Sequence, residues 1–128
     1  MIEEGNKNNK VILKLNMNHE GLILFQKTYD LILEIHPIIG KFPKNQRFIL
    51  GQKIENTIIT ILEIVIIINL GKVASSYFRK LDIELFKLKI FIRLSKDFRY
   101  ITIRKYGTLE ERVIEIGKMI GGWKKSSI

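Results

Sequence analysis

The chain has 128 residues, of which 46% are hydrophobic and 27% charged, a length and balance that fit one globular domain and exclude a disordered polymer. It contains no cysteine, so disulfide staples and thiolate metal centres are excluded, in keeping with a reducing compartment. The formal net charge of +9 points to a polyanionic partner, nucleic acid ahead of an anionic membrane.

Residues 1–18 are predicted to form a flexible arm. The opening MIEEGNKNNK is acidic and polar where a secretory signal would be basic and then apolar, so a cytoplasmic protein is expected. The alternating VILKLNM stretch that follows has no evident strand to pair with. A first helix is predicted from His19 or Glu20 to Ile39, capped by Asn18, with Glu20 in its first turn. Leu24, Leu31, Ile35 and Ile38, with Tyr29 less regularly, supply its buried face. Pro37 removes one backbone donor near the end, and Gly40 closes the helix.

A second helix is predicted from Pro43, whose missing N–H suits a first helical position, to Leu70. Leu50, Ile54, Ile58, Ile61, Val65 and Ile68 follow steps of three and four and define its buried stripe. Gln52, Asn56, Thr60 and Glu63 take the opposite side. The apolar run from Ile58 to Leu70 is interrupted by Glu63 and falls short of the ~18 residues of a membrane span, so no membrane is expected.

The third helix, from about Val73 to Phe98, carries two apolar stripes. Phe78, Leu81, Leu85, Leu88 and Ile92 form one; Ile83, Phe86, Ile90 and Leu94 form another, displaced by roughly half a turn. A helix in a monomeric bundle needs one apolar face, so the second stripe predicts contact with another copy of the chain. A short connection, Arg99-Tyr100-Ile101, leads to a fourth helix from about Thr102 to Gly121. Its inner face is Ile103, Tyr106, Leu109, Val113, Ile116 and Ile120. Gly121-Gly122 is read as a stop, with Trp123 folded back beyond it and residues 124–128 forming a disordered tail. The expected fold is an all-α, antiparallel up-down-up-down four-helix bundle over residues 19–123, assembling with further copies of itself.

Little in the chain suggests catalysis. His19 and His36 lack carboxylates at metal-ligand spacing, no Glu-x-x-His occurs, and no phosphate-binding Gly-x-x-x-x-Gly-Lys is present. No catalytic residue, cofactor or metal is expected. The basic residues are better organised. Arg79, Lys80, Lys87, Lys89, Arg93, Lys96 and Arg99 follow the third helix, and Arg104 and Lys105 open the fourth. Lys89, Arg93 and Lys96 fall within one ~60° arc and form a ridge able to neutralise several phosphates. An adaptor that docks on an acidic protein would carry the same residues.

Five blocks of the chain resemble one family. Phe25-Gln26-Lys27-Thr28-Tyr29-Asp30-Leu31 precedes Lys41-Phe42-Pro43-Lys44-Asn45-Gln46-Arg47-Phe48-Ile49-Leu50-Gly51. Leu94-Ser95-Lys96-Asp97-Phe98 then leads to Ile103-Arg104-Lys105-Tyr106, and Ile116-Gly117-Lys118-Met119-Ile120-Gly121-Gly122-Trp123 closes the pattern. In this order and spacing they resemble the accessory variability determinant (Avd) proteins of diversity-generating retroelements. Bundles encoded by intervening sequences of ribosomal RNA genes share part of the pattern. The resemblance implies a barrel-shaped homopentamer of basic four-helix bundles. Such a protein binds RNA or DNA and associates with the retroelement's reverse transcriptase to support mutagenic copying of a template RNA, with no activity of its own. Carried over by position, Arg47 and Arg104 match basic positions of the family. Arg93 and Lys96 lie in its third-helix block, and Phe42, Pro43, Gly51, Gly121, Gly122 and Trp123 are structural.

Overall fold

A computed structural model describes residues 19–71 and 75–127. The predicted arm, the Asn18 cap, the VILKLNM stretch, Val73 and Ile128 lie outside the described residues. Those described are helical apart from short connections: α1 (His19–Ile39), α2 (Lys44–Arg47), α3 (Leu50–Asn69), α4 (Ser75–Asp97) and α5 (Ile103–Ser127). Each long helix packs on the next and α5 returns against α1, which closes an antiparallel four-helix bundle around one core. The predicted stripe of α3 and the first of the two predicted in α4 are buried in full. In α1 the register settles on Leu24, Phe25, Thr28, Leu31, Ile35 and Ile39, while Tyr29 and Ile38 are partly buried. The Thr28 hydroxyl is accommodated because it donates to the Leu24 carbonyl one turn back.

The first correction concerns the predicted second helix, which is broken. Its first turn is the separate α2, behind Pro43, and Phe48 and Ile49 interrupt the chain before α3. Ile49 leaves the helical region at φ −113°, ψ −85°, and both its N–H and that of Phe48 reach the Gln46 carbonyl. The break turns Phe48 and Ile49 out to solvent and leaves Gln46 and Arg47 partly buried. The break also lets Phe42 reach the core, where its ring lies 5.4 Å from that of Tyr100. Gly51 then passes so near Ile39 that a Cβ would lie 2.6 Å from the Ile39 Cγ2.

The second correction is at the other end of the chain. α5 does not stop at Gly121-Gly122 but continues through both to Ser127, so Trp123 and Lys124–Ser127 belong to the helix and not to a loose tail. Trp123 continues the stripe of Ile116 and Ile120 and is 2% exposed, its ring edge-on to Phe78 at 5.3 Å between centroids. Two helical glycines cost about 1 kcal/mol each relative to alanine, whereas burying an indole removes ~150–250 Å² from water, worth about 4–6 kcal/mol. Burial wins, and the helix carries on. The Ser126 hydroxyl donates to Glu20 on α1 at 2.6 Å and fastens the last turn.

Two smaller departures share a cause. Ile103, expected on the inner face, is 80% exposed because α5 starts beyond the end of the core, behind the Thr102 cap. Leu94, placed with the outer stripe of α4, is half-buried and packs against the core. The outer stripe therefore consists of Ile83, Phe86 and Ile90, all exposed.

Candidate nucleic-acid interface

Burial of Phe78, Leu81, Leu85, Leu88 and Ile92 fixes the rotation of α4, and with it the direction of every cation on that helix. Lys89 and Arg93 fall on the flank facing α5. They line a groove of about 180 Å³ together with Phe86, Ile90, Tyr106 and Glu110. Lys96 continues this flank but is more enclosed, its side chain 25% exposed and its Nζ 4.8 Å from the centre of the Tyr106 ring. The Tyr106 hydroxyl donates to Glu110 at 3.0 Å. Burial foremost, then the hydrogen bond and charge of Glu110, raises its pKa, with Arg93 acting in the opposite sense. Arg93 and Lys96 share one counter-ion, Asp97, at 3.7 and 3.5 Å, so the flank keeps an excess of positive charge. On the other flank Lys87 pairs with Glu84 at 3.1 Å, and Arg79 and Lys80 stand exposed near the start of the helix.

The antiparallel topology gathers further cations where α1 and α4 end and α5 begins. Lys41 and Lys44 lie in and after the α1–α2 turn, Arg99 in the α4–α5 connection, and Arg104 and Lys105 in the first turn of α5, which has no acidic residue. A cation at a helix N-terminus opposes the helix dipole, so local stability does not explain Arg104 and Lys105. Thr102 caps that turn, its Oγ1 accepting from the Lys105 N–H at 3.1 Å. Lys41 and Lys105 border one depression with Tyr100 and Thr102, and Glu34 is the acid on its rim. Phe48 and Phe98 are exposed at this same end. Exposed rings among Lys and Arg are what single-stranded nucleic acid uses, bases on the rings and phosphates on the cations. The sequence reading names Lys41, Lys44, Phe48 and Phe98 only within the family-like blocks and not as nucleic-acid contacts, because they come from segments far apart in the chain. No periodicity links them.

Arg47, a cation at the start of the predicted second helix where the dipole disfavours one, calls for either a carboxylate partner or a contact with another copy. No carboxylate meets it among the described residues. Its Nε is buried without a hydrogen-bond partner, and it makes no ion pair among the described residues. Two ion pairs join α1 and α5: Arg112 Nε donates to Glu34 at 2.9 Å, and Lys27 pairs with Glu115 at 3.1 Å. The hydrogen bond and charge of Glu34 hold the Arg112 guanidinium above its ordinary pKa. Among the described residues no group of three or more His, Asp or Glu could hold a metal ion, and no helix is long and apolar enough to cross a membrane.

A family model described as bAvd-like matches residues 22–127. The chain belongs to the bAvd-like family. No curated protein matched it. The family is that of the accessory variability determinants, which associates the chain with diversity-generating retroelements as an accessory protein. The bAvd-like match covers all but the first turn of the described bundle and ends on the last residue of α5, so the helix beyond Gly122 lies within it.

Arg99 is the one non-glycine among the described residues of this bAvd-like chain with positive φ, at 64°. The Arg99 N–H bonds the Lys96 carbonyl and the Tyr100 N–H the Ser95 carbonyl, the two bonds of a Schellman cap, with arginine where glycine is usual. A left-handed L-residue costs roughly 1–2 kcal/mol. Arg99→Gly is expected to raise the urea-unfolding free energy by about 1 kcal/mol. A variant no more stable than the parent would mean that the arginine side chain offsets the strain through contacts of its own.

Proposed function

We propose that this bAvd-like protein is a non-catalytic, nucleic-acid-binding subunit. In this reading it works as a homo-oligomer, a pentamer by family resemblance. It associates with the reverse transcriptase of a diversity-generating retroelement and supports mutagenic reverse transcription of a template RNA. The observation that carries the nucleic-acid part is the continuity of positive charge from Lys89, Arg93 and Lys96 on α4 to Arg99, Arg104 and Lys105 at the bundle end. Few acids interrupt it, and Phe98 stands exposed within it. Nothing in this surface resembles a groove-reading helix, so recognition runs through phosphates and stacked bases.

The test is titration of a structured RNA, a single-stranded DNA and their hybrid across a salt series, with the parent and the double variant Lys89→Glu/Arg93→Glu. Both side chains are exposed, and reversing them disturbs no core contact, whereas Lys96 stacks on Tyr106 and is a poorer choice. Parent affinity should fall steeply with salt, and the variant should bind ~10–100-fold more weakly with a shallower log–log slope by roughly 1.5. Binding that ignores both salt and the reversal would remove this surface from the function. Co-purification with a retroelement reverse transcriptase tests the other partner.

A further inference from the structure

Charge is divided unequally between the two halves of the bundle. On the long helices α1 and α3 the acids Glu20, Asp30, Glu34, Glu55 and Glu63 outnumber Lys27 and Lys53, the other bases of that half, Lys41, Lys44 and Arg47, lying in the turn and α2 at its end. On α4 and α5 the bases prevail. Between α1 and α3 runs an open groove of about 480 Å³. Ile32 and Ile59 give it an apolar floor, Glu55 and Glu63 are its charged residues beside His36, and no Lys or Arg lines it. His36 Nδ1 hydrogen-bonds the Glu55 carboxylate and orders that rim. Ile59 and Leu33, at or near this surface, are exposed despite being apolar.

The outer face of α4 is its counterpart. Ile83, Phe86 (64% exposed) and Ile90 form a short apolar stripe with Lys80 and Lys87 on one border and Lys89 and Arg93 on the other. Two such stripes cannot meet about a two-fold axis without setting these cations against one another. The groove offers what the stripe lacks, an apolar floor bordered by carboxylates. Because α1 and α4 stand at diagonal corners of the bundle, the two surfaces cannot meet within one chain.

We infer that the α4 stripe of one copy seats in the α1–α3 groove of the next, a head-to-tail contact with Phe86 as the anchor and Lys80 and Lys87 directed to Glu55 and Glu63. The inference rests on the reading of the protein as a homo-oligomer, and it adds to that reading the receiving surface and the polarity of the contact. A contact between unlike surfaces repeats until a ring closes, so the assembly is cyclic rather than built from two-fold pairs. The basic bundle end remains outside the contact, which borders the α5-facing flank because Phe86 and Ile90 also line its groove with Lys89 and Arg93.

Light scattering on the full chain tests this with two variants. Ile59→Lys alters only the groove, and Phe86→Ser/Ile90→Ser alters only the stripe. All three positions are exposed, and circular dichroism checks that the bundle is kept. With a multimeric parent, each variant alone is expected at the 15.0 kDa of one chain. An equimolar mixture is expected to double that mass and stop, because the Ile59→Lys chain keeps its stripe, the other keeps its groove, and the remaining surfaces are both damaged. Normal assembly of either variant alone, or a mixture that stays monomeric, overturns the inference while leaving an oligomer of another kind. A parent that is itself monomeric removes the oligomeric reading, and this inference with it.

Discussion

Trp123→Ala is expected to lower the unfolding free energy by about 3–5 kcal/mol, the largest single-residue effect we foresee. The indole is buried against Phe78 at the end where α4 begins and α5 ends, opposite the basic end formed by Arg99, Arg104 and Lys105. Its removal opens a cavity between two helices that short loops cannot collapse. A urea titration followed by far-ultraviolet circular dichroism measures the loss. In the parent, where Trp123 is the only tryptophan, fluorescence follows the same transition. A companion substitution makes the reading sharper. A Cβ on Gly122 would meet nothing within 4 Å, so Gly122→Ala should stabilise by about 0.5–1 kcal/mol if α5 runs through it. If instead Gly122 ended the helix, alanine would destabilise the chain and the loss of Trp123 would cost little. The two variants therefore move in opposite directions only when the helix continues.

The second large effect is expected at Gly51. Alanine there would drive a Cβ to 2.6 Å from Ile39 Cγ2, with the Phe42 ring 3.7 Å away, at the point where α1, the α2 turn and α3 converge. Overpacking of this kind costs about 1–3 kcal/mol, because a β-branched neighbour at a helix end has few ways to yield. Gly51→Ala should lower stability by that amount, and Gly51→Ala/Ile39→Leu, which removes the offending branch, should recover part of it. Equal losses in the single and double variants would place the strain elsewhere, in the backbone of the Phe48–Ile49 break. This coupling is a short-range one, and a thermodynamic cycle of the four proteins isolates it.

Much of the architecture is legible without coordinates. The steps of three and four in α3 and α4 name the buried residues, because a helix packed on one side repeats its apolar positions every 3.6 residues. The outer α4 stripe is legible for the same reason, since Ile83, Phe86 and Ile90 keep helical spacing on a side that one bundle cannot cover. The cations of α4 follow from the same geometry, and the motif blocks indicate the family.

Tertiary structure decides the cases in which a local preference competes with a distant contact. Gly121-Gly122 is locally a stop, but Phe78 in another helix makes burial of Trp123 worth more than two glycine penalties. The run from Pro43 to Leu70 is locally one helix, but it breaks at Phe48 and Ile49, where Phe42 enters the core and Gly51 passes against Ile39. Ile103 has the spacing of an inner residue, yet the core has ended before α5 reaches it. The basic end of the bundle exists only once antiparallel packing brings Lys41, Lys44, Arg99, Arg104 and Lys105 to one place. Periodicity records which side of a helix is buried. It carries no record of what lies opposite, and the strength of that opposite contact determines where helices break, where they end and which charges meet.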